Sequence, residues 1–311
     1  MAPILVVGAG VTGCYTATRL LDNGADVSLL ARGEKAHRLA QEGIVLRDGL
    51  TGRERRVRIL VVTEPVERSY DIAVVAVQDV HREETEELVS RLPGSPIAWF
   101  LGNTVRGYER AARLIGRDRV ISGFPDVGGT WEGEVLLYAD RMRPEEPPFN
   151  RLIAGAPYPE GASSLEQLRA RMTELSQRVT LYEPIMAWHL CHVALILPLA
   201  AVAYAHEGDL EAAAADRHLL KQAMRAVVQG LDLVKKRGYP ILPGRLRLFR
   251  FFPAGPGAAK TAKMLRSPFG RIALGGHAAA ARAEMSHLAE GLLALGPGRG
   301  AAELRSLLSL I

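Results

Sequence analysis

The feature that most constrains this chain is the apolar run at residues 4–7 leading directly into Gly8-Ala9-Gly10-Val11-Thr12-Gly13. Helical spacing then follows through Thr16, Leu20 and Leu21 to Gly24. A strand, a glycine turn and a helix in that order open a parallel β-α-β unit. The three glycines have separate duties. Gly8 permits the tight turn, Gly10 lets backbone approach a pyrophosphate, and Gly13 lets the helix pack close to the strand, while the helix N-terminal amides face the anion. Alone, G-x-G-x-x-G is a common pattern. Placed right after a strand and at the start of a helix, it predicts a dinucleotide-binding turn.

The strand-helix alternation continues through residues 27–30, 34–41 and 56–62, the last after an Asp48-Gly49 turn signal. Residues 71–77, DIAVVAV, are apolar on both faces, as a strand buried inside a parallel sheet requires. The acidic HREETEELVSRL stretch reads as its covering helix, and 97–101 with 108–115 repeat the pair. The expected fold class is therefore α/β, with an N-terminal Rossmann-type doubly wound parallel sheet. Residues 120–155, which include the Pro-rich RMRPEEPPF loop, read as an antiparallel extension. From about residue 164 helical periodicity takes over, at 164–176, 183–205, 210–237 and near 277–295, with an irregular Gly/Pro-rich connection over 253–270. Pro184 suits a first helical turn, so the boundary is set near Leu181, giving a dinucleotide-binding domain at 1–181 and an all-α domain at 182–311.

Composition narrows the function classes. With 48% hydrophobic and 23% charged residues, fibrous and wholly disordered chains are excluded. Two cysteines, Cys14 and Cys191, supply neither a disulfide framework nor a metal-ligand spacing, and the N-terminus lacks the charged region of a signal peptide, so a cytoplasmic enzyme is expected. The net charge of +5 is read as spread along the chain, and the basic run Arg245, Arg247, Arg250 beside Phe249, Phe251 and Phe252 shows no wider basic field. No nucleic-acid partner is expected. Residues 193–205 are nearly all apolar, but His189 and His192 precede them and Pro198 interrupts them, which fits a buried core helix and no membrane span.

The end of the second expected strand reads Leu30-Ala31-Arg32-Gly33. Enzymes that use NAD place an acid there to accept from the ribose 2′-hydroxyl. None stands here, whereas Arg32, with Lys35 nearby, suits a 2′-phosphate, so NADPH is the expected cofactor.

GAGVTG, VSLLARGEK, DIAVVAVQ, FLGNTV and the helical C-terminal half resemble the ketopantoate reductase family over almost the whole chain. The resemblance implies an all-α second domain of the type shared with 6-phosphogluconate dehydrogenase, with NADPH and substrate between the domains. Gln78 stands where the family has a lysine after its fourth-strand VAV, and Asn103-Thr104 stands for its Asn-Gly; the resemblance places Gln78 and Asn103 at the cofactor. The family helix W-x-K-L-x-x-N-x-x-x-N-P-L, matched on Pro198-Leu199, puts His189 at the lysine and Val193 and Leu197 at the two asparagines. A divergent member is implied, without the usual catalytic lysine and substrate-binding asparagines. Arg282-Ala283-Glu284 resembles the family's Arg-Thr-Glu, which makes Glu284 the match for its active-site acid.

Hydride delivery to a carbonyl builds alkoxide charge on oxygen, so a reductase needs a proton donor within reach. His189 is chemically able to donate, and a carboxylate such as Glu284 would hold it protonated. The competing reading makes His189 and His192 packed helix residues. His189-x-x-His192 also has metal-ligand spacing, but without an evident third ligand no metal is expected. His277, Glu284 and His287 fall on one helical face. The expectation is an NADPH-dependent oxidoreductase acting on a small 2-oxo acid or related carbonyl compound, with a homodimer left open. The alternatives are a genuine ketopantoate reductase with a rebuilt site, or an NADPH-binding protein without turnover.

Overall fold

The computed structural model describes residues 3–64, 68–140, 152–275, 281–296 and 301–311; the 141–149 proline-rich loop and His277 lie outside them. Its contacts divide the chain into one unit of Met1–Gly102 with Gly107–Ile185, and a second of Asn103–Arg106 with Met186–Ile311.

The first unit opens with β1 (Ile4–Val7), α1 (Val11–Asp22), β2 (Val27–Leu30), α2 (Gly33–Glu42), β3 (Ile44–Asp48), β4 (Glu54–Val57), β5 (Leu60–Val62), β6 (Ile72–Val75) and α3 (Arg82–Ser90). It continues through β7 (Ile97–Leu101), α4 (Glu109–Ile115), β8 (Val120–Phe124), β9 (Val127–Glu132), β10 (Val135–Asp140), β11 (Leu152–Gly155), α5 (Ala162–Glu174) and β12 (Val179–Leu181). The main sheet has the order β12-β11-β8-β7-β6-β1-β2-β5, and the six strands from β8 to β5 are parallel. β1, β2, β6 and β7 are buried along their whole length, which explains their unbroken apolar sequences. Val7 lies opposite both Leu30 and Val75, so the chain leaves β1, β2 and β6 at one level of the sheet edge. The strand order reverses at β1, where an open α/β sheet offers a ligand crevice.

Residues 120–155 are not a simple antiparallel extension. β8 continues the parallel sheet, β11 joins it antiparallel, and the β9–β10 hairpin belongs to a second sheet of order β4-β3-β10-β9. The single strand expected at 56–62 is likewise two strands in two sheets, β4 and β5, and β3 is an element that the sequence reading lacked. The second sheet lies on α1: a Cβ at Gly129 would stand 2.9 Å from the Val11 side chain.

The second unit contains α6 (Ile185–Ala205), α7 (Leu210–Ala215), α8 (Arg217–Lys236), a 3₁₀ segment (Gly244–Arg250), α9 (Ala254–Leu265), α10 (Arg282–Leu293) and α11 (Ala302–Leu308). α6 is apolar almost all round because it forms the middle of this unit's core; by length and composition it also passes as a membrane span, yet most of it is buried. Val193 and Leu197 are wholly buried there. The helix expected over 210–237 breaks at Asp216, whose carboxylate caps α8 through the Leu219 N–H at 2.9 Å and pairs with His206 at 3.2 Å. The irregular connection expected over 253–270 is instead largely helical. Pro253 is the N-cap of α9 and Pro256 sits in its first turn, where a missing N–H leaves no helical bond unmade.

Near the end of β10, the Tyr15 hydroxyl donates to Asp140, and Arg19 lies 3.9 Å from the same carboxylate. Asp126 shares this corner with Tyr15, Arg19 and Gln177. Burial, countered by Arg19 and by its own backbone N–H and reinforced by Asp140, pushes the Asp126 carboxyl up to about 6. The folded protein therefore holds this proton more tightly than the unfolded chain. The stability it contributes is present below pH ~4 and is lost as pH rises to about 6, by up to about 3 kcal/mol. Asp126→Asn is expected to remove that part of the pH dependence and to raise the denaturation midpoint at pH 7, measured by urea unfolding across pH 4–7.

Candidate functional site

Gly8 leaves β1 at φ +106°, a conformation that L side chains rarely adopt, and a Cβ there would stand 2.7 Å from the Ala76 carbonyl oxygen. A Cβ at Gly13 would stand 1.8 Å from the Gly8 carbonyl oxygen. These two glycines bring α1 against the turn. Gly10 differs, because nothing lies within 4 Å of the position of its Cβ, so the open space beside it faces outward from the turn. It is the N-cap of α1 in extended conformation and supplies no side-chain cap, which leaves the first amides of the helix for another acceptor. A pyrophosphate fits this cradle in shape and charge.

Arg32 is the N-cap residue of α2, just past β2. Its guanidinium lies 3.4 Å from Glu84, and the two side chains are 68% and 77% exposed, so the pair is a weak, solvent-screened one that an incoming anion can displace. Lys35 is committed elsewhere: its ammonium lies 4.0 Å over the Trp131 ring, which Arg38 also approaches. Gln78 is the N-cap of a short 3₁₀ turn, Asp79–His81, beyond β6. Gly8, Gly10, Gly13, Arg32 and Gln78 are thus all gathered around the ends of three adjacent strands. Asn103 follows β7 after Gly102, and its buried Oδ1 has no hydrogen-bond partner among the described residues, as fits an acceptor kept for a ligand.

An ion network next to Gln78 was not legible in the sequence. Arg82 pairs with Asp79 at 2.9 Å and Glu86 at 3.0 Å, donates to the Gly107 carbonyl at 2.8 Å, and stacks 4.7 Å over Tyr108. Glu86 also pairs with Arg110 at 2.8 Å. Burial, partly opposed by Arg82, pushes the Tyr108 phenol up to about 12, and its hydroxyl bonds Ser122 at 2.8 Å. The network ties the chain after β6 to the chain after β7. Its only sequence signal was an Asp and a Glu at helical spacing from Arg82, a pattern shared by solvated helix faces.

In the second unit His189 is wholly buried on α6, with the Trp188 ring edge-on at 5.3 Å; Trp188 also stacks on His192 at 4.9 Å. Glu284 is buried in the first turn of α10. It lies near Tyr204, whose phenol is pushed up by burial and further by Glu284, while Arg282 stacks 4.9 Å over the same ring and opposes the shift. His189 and Tyr204 are fifteen residues apart on α6, about 22 Å of helix rise. The two candidates therefore have separate anchors.

Residues 4–141 match the family model described as Ketopantoate reductase PanE/ApbA. A search of curated proteins found no match. Among solved structures, a D-mandelate dehydrogenase in ternary complex with NADH and anilino(oxo)acetate superposes with TM-score 0.75 at 12% identity, covering 99% of this chain and 96% of that one. A PanE/ApbA family ketopantoate reductase from Ralstonia eutropha gives 0.74 at 16% identity, covering 99% and 96%. A 2-dehydropantoate 2-reductase from Geobacter metallireducens gives 0.68 at 17%, covering 99% and 98%. The fold of this chain is the one these proteins share.

The glycine geometry separates two substitutions. Gly10→Val places its side chain in open space, so thermal unfolding is expected to stay within about 2 °C of the parent while nucleotide binding is lost. Gly13→Val forces α1 off β1, and a fall in Tm of several degrees is expected with it. Calorimetry and NADPH fluorescence titration on both variants check the pair.

Proposed function

We propose that the whole chain is a ketopantoate-reductase-like oxidoreductase that uses NADPH to reduce the ketone of a small 2-oxo acid or related carbonyl compound. The observation that carries this reading is the open cradle at Gly10 between two sterically compelled glycines, at the sheet's reversal point. The family match over 4–141 and the shared fold support it. In this reading residues 1–181 bind the dinucleotide, residues 182–311 form the substrate domain, and the protein works in the cytoplasm.

The amides of the glycine turn hold the pyrophosphate, Arg32 exchanges Glu84 for the 2′-phosphate, and Gln78 and Asn103 serve the nicotinamide end. The absence of an acid after β2 favours NADPH over the NADH held by D-mandelate dehydrogenase. Bound there, the cofactor supplies a hydride. His189 donates a proton to the oxygen that becomes an alkoxide; Glu284, held beside Tyr204 and Arg282, is a second polar group of the helical domain and not the carboxylate that charges this imidazole. The anilino(oxo)acetate held by the same relative carries an aromatic ring, which supports 2-oxo acids with larger apolar groups ahead of ketopantoate. A second reading is favoured by one observation, the complete burial of His189, which suits a packed histidine and a protein without turnover.

Arg32→Ala is expected to weaken NADPH binding about tenfold or more and to leave NADH binding nearly unchanged. Equal losses for both would remove the 2′-phosphate assignment. With a carbonyl panel that includes ketopantoate and aryl 2-oxo acids, the parent enzyme is expected to oxidise NADPH. His189→Ala is expected to lower kcat by about 10²–10⁴ with little change in NADPH affinity, and Glu284→Gln to cost less. Unchanged kcat in His189→Ala establishes the packed-histidine reading, and NADPH binding without oxidation across the panel establishes the protein without turnover.

A further inference from the structure

The 3₁₀ segment Gly244–Arg250 repeats every three residues, so side chains at i and i+3 lie above one another. Leu246 and Phe249 form the ridge that faces the helical core. Leu248 and Phe251 form a second ridge and Arg247 with Arg250 a third, and both of these are exposed. Leu248, Phe251 and Phe252 are 52%, 78% and 62% exposed, so three large apolar side chains stand out together at one turn. A soluble surface rarely displays two adjacent, mostly uncovered phenylalanines without a use for them.

Folding also supplies the basic field that the run at 245–250 lacks in sequence. The segment packs on the C-terminal part of α8, and Arg250 pairs with Asp232 of that helix. Lys235, Lys236 and Arg237, all exposed, end the same helix. Residues 232–252 hold six basic residues and one acid, a surplus of five, which equals the net charge of the entire chain. The remainder is electroneutral. The one acid of this stretch is paired with Arg250.

We propose that this turn is a docking surface for an anionic phospholipid bilayer, with Phe251, Phe252 and Leu248 entering the interface while the lysines and arginines of 235–250 lie against the headgroups. The two features have complementary ranges. Cations attract an anionic surface over about a Debye length, and apolar side chains hold only once they reach the acyl boundary. An isologous pairing of two copies through this patch would set a surplus of five positive charges against five, which opposes self-association. The aliphatic Leu248 beside the phenylalanines suits lipid better than the stacked bases of a nucleic acid, which want flat faces alone. The surface belongs to the second unit by itself and is independent of the NADPH reading.

The test is co-sedimentation of the full chain with phosphatidylcholine vesicles, with and without phosphatidylglycerol. Binding is expected only to the anionic vesicles, weakening as salt is raised. Phe251→Ser with Phe252→Ser is expected to reduce it at least tenfold at unchanged Tm, since both side chains are already in water. Arg247→Gln with Lys236→Gln, which keeps the aromatic tip, is expected to reduce it severalfold and to flatten the salt dependence. Equal binding to both vesicle types, or full binding by the double Phe variant, would overturn the proposal. So would a dimer in the parent that the Phe variant loses, or retention of single-stranded RNA that anionic vesicles fail to displace.

Discussion

The first unit depends on how closely α1 approaches β1. With a Cβ at Gly13 the Gly8 carbonyl would be overlapped, so the helix can start where it does only because both positions carry no side chain. That placement sets the rest. It aims the first amides of α1 at the level where β1, β2 and β6 end together, and it leaves the outer face of α1 for the second sheet, where Gly129 is again needed for close approach to Val11. Tyr15 and Arg19, one turn apart on the same helix, then fasten it to Asp140 at the end of β10. One helix is thus held from two sides, and the open cradle at Gly10 is a by-product of that rigidity.

The parallel core was legible because its signals are local. Apolar runs buried on both faces, glycine at the turns and acidic covering helices each occupy a few consecutive residues, and the strands at 4–7, 27–30, 71–77 and 97–101 follow from them. What failed were pairings set by distant partners. Leu60 to Val62 joins β2 while Glu54 to Val57 joins β3, and nothing within 54–62 says that two sheets compete for it. At 253–270 the prolines and glycines were weighed as breakers without regard to position, whereas prolines at the N-cap and in the first turn start a helix rather than stop one.

The candidate site divides the same way. The places of Gly8, Gly10, Gly13 and Arg32 at the strand ends were readable because a turn after a strand is a local matter. The Arg82 network was not, since its meaning lies in where the guanidinium goes. Three of its contacts leave the helix or cover it: Asp79 before α3, the Gly107 carbonyl after β7, and the Tyr108 ring. A buried guanidinium without those acceptors would be strongly destabilising, so the network is as much a requirement of burying Arg82 as a brace for the two segments it joins.

In the helical unit the apolar residues of α6 are first of all a matter of packing. α6 is surrounded by its own unit's core, and Val193 and Leu197 fill positions with no access to solvent, where an amide would need buried partners to be tolerated. Ala194, next to Val193, packs against Gly230 of α8, so the helices meet where side chains are smallest and leave little room for polar groups at these positions. Polar side chains gather elsewhere in this unit. Tyr204, Arg282 and Glu284 are the set the fold has already brought together, and the position of Glu284 at the start of α10 fixes it beside a phenol and a guanidinium on the same face.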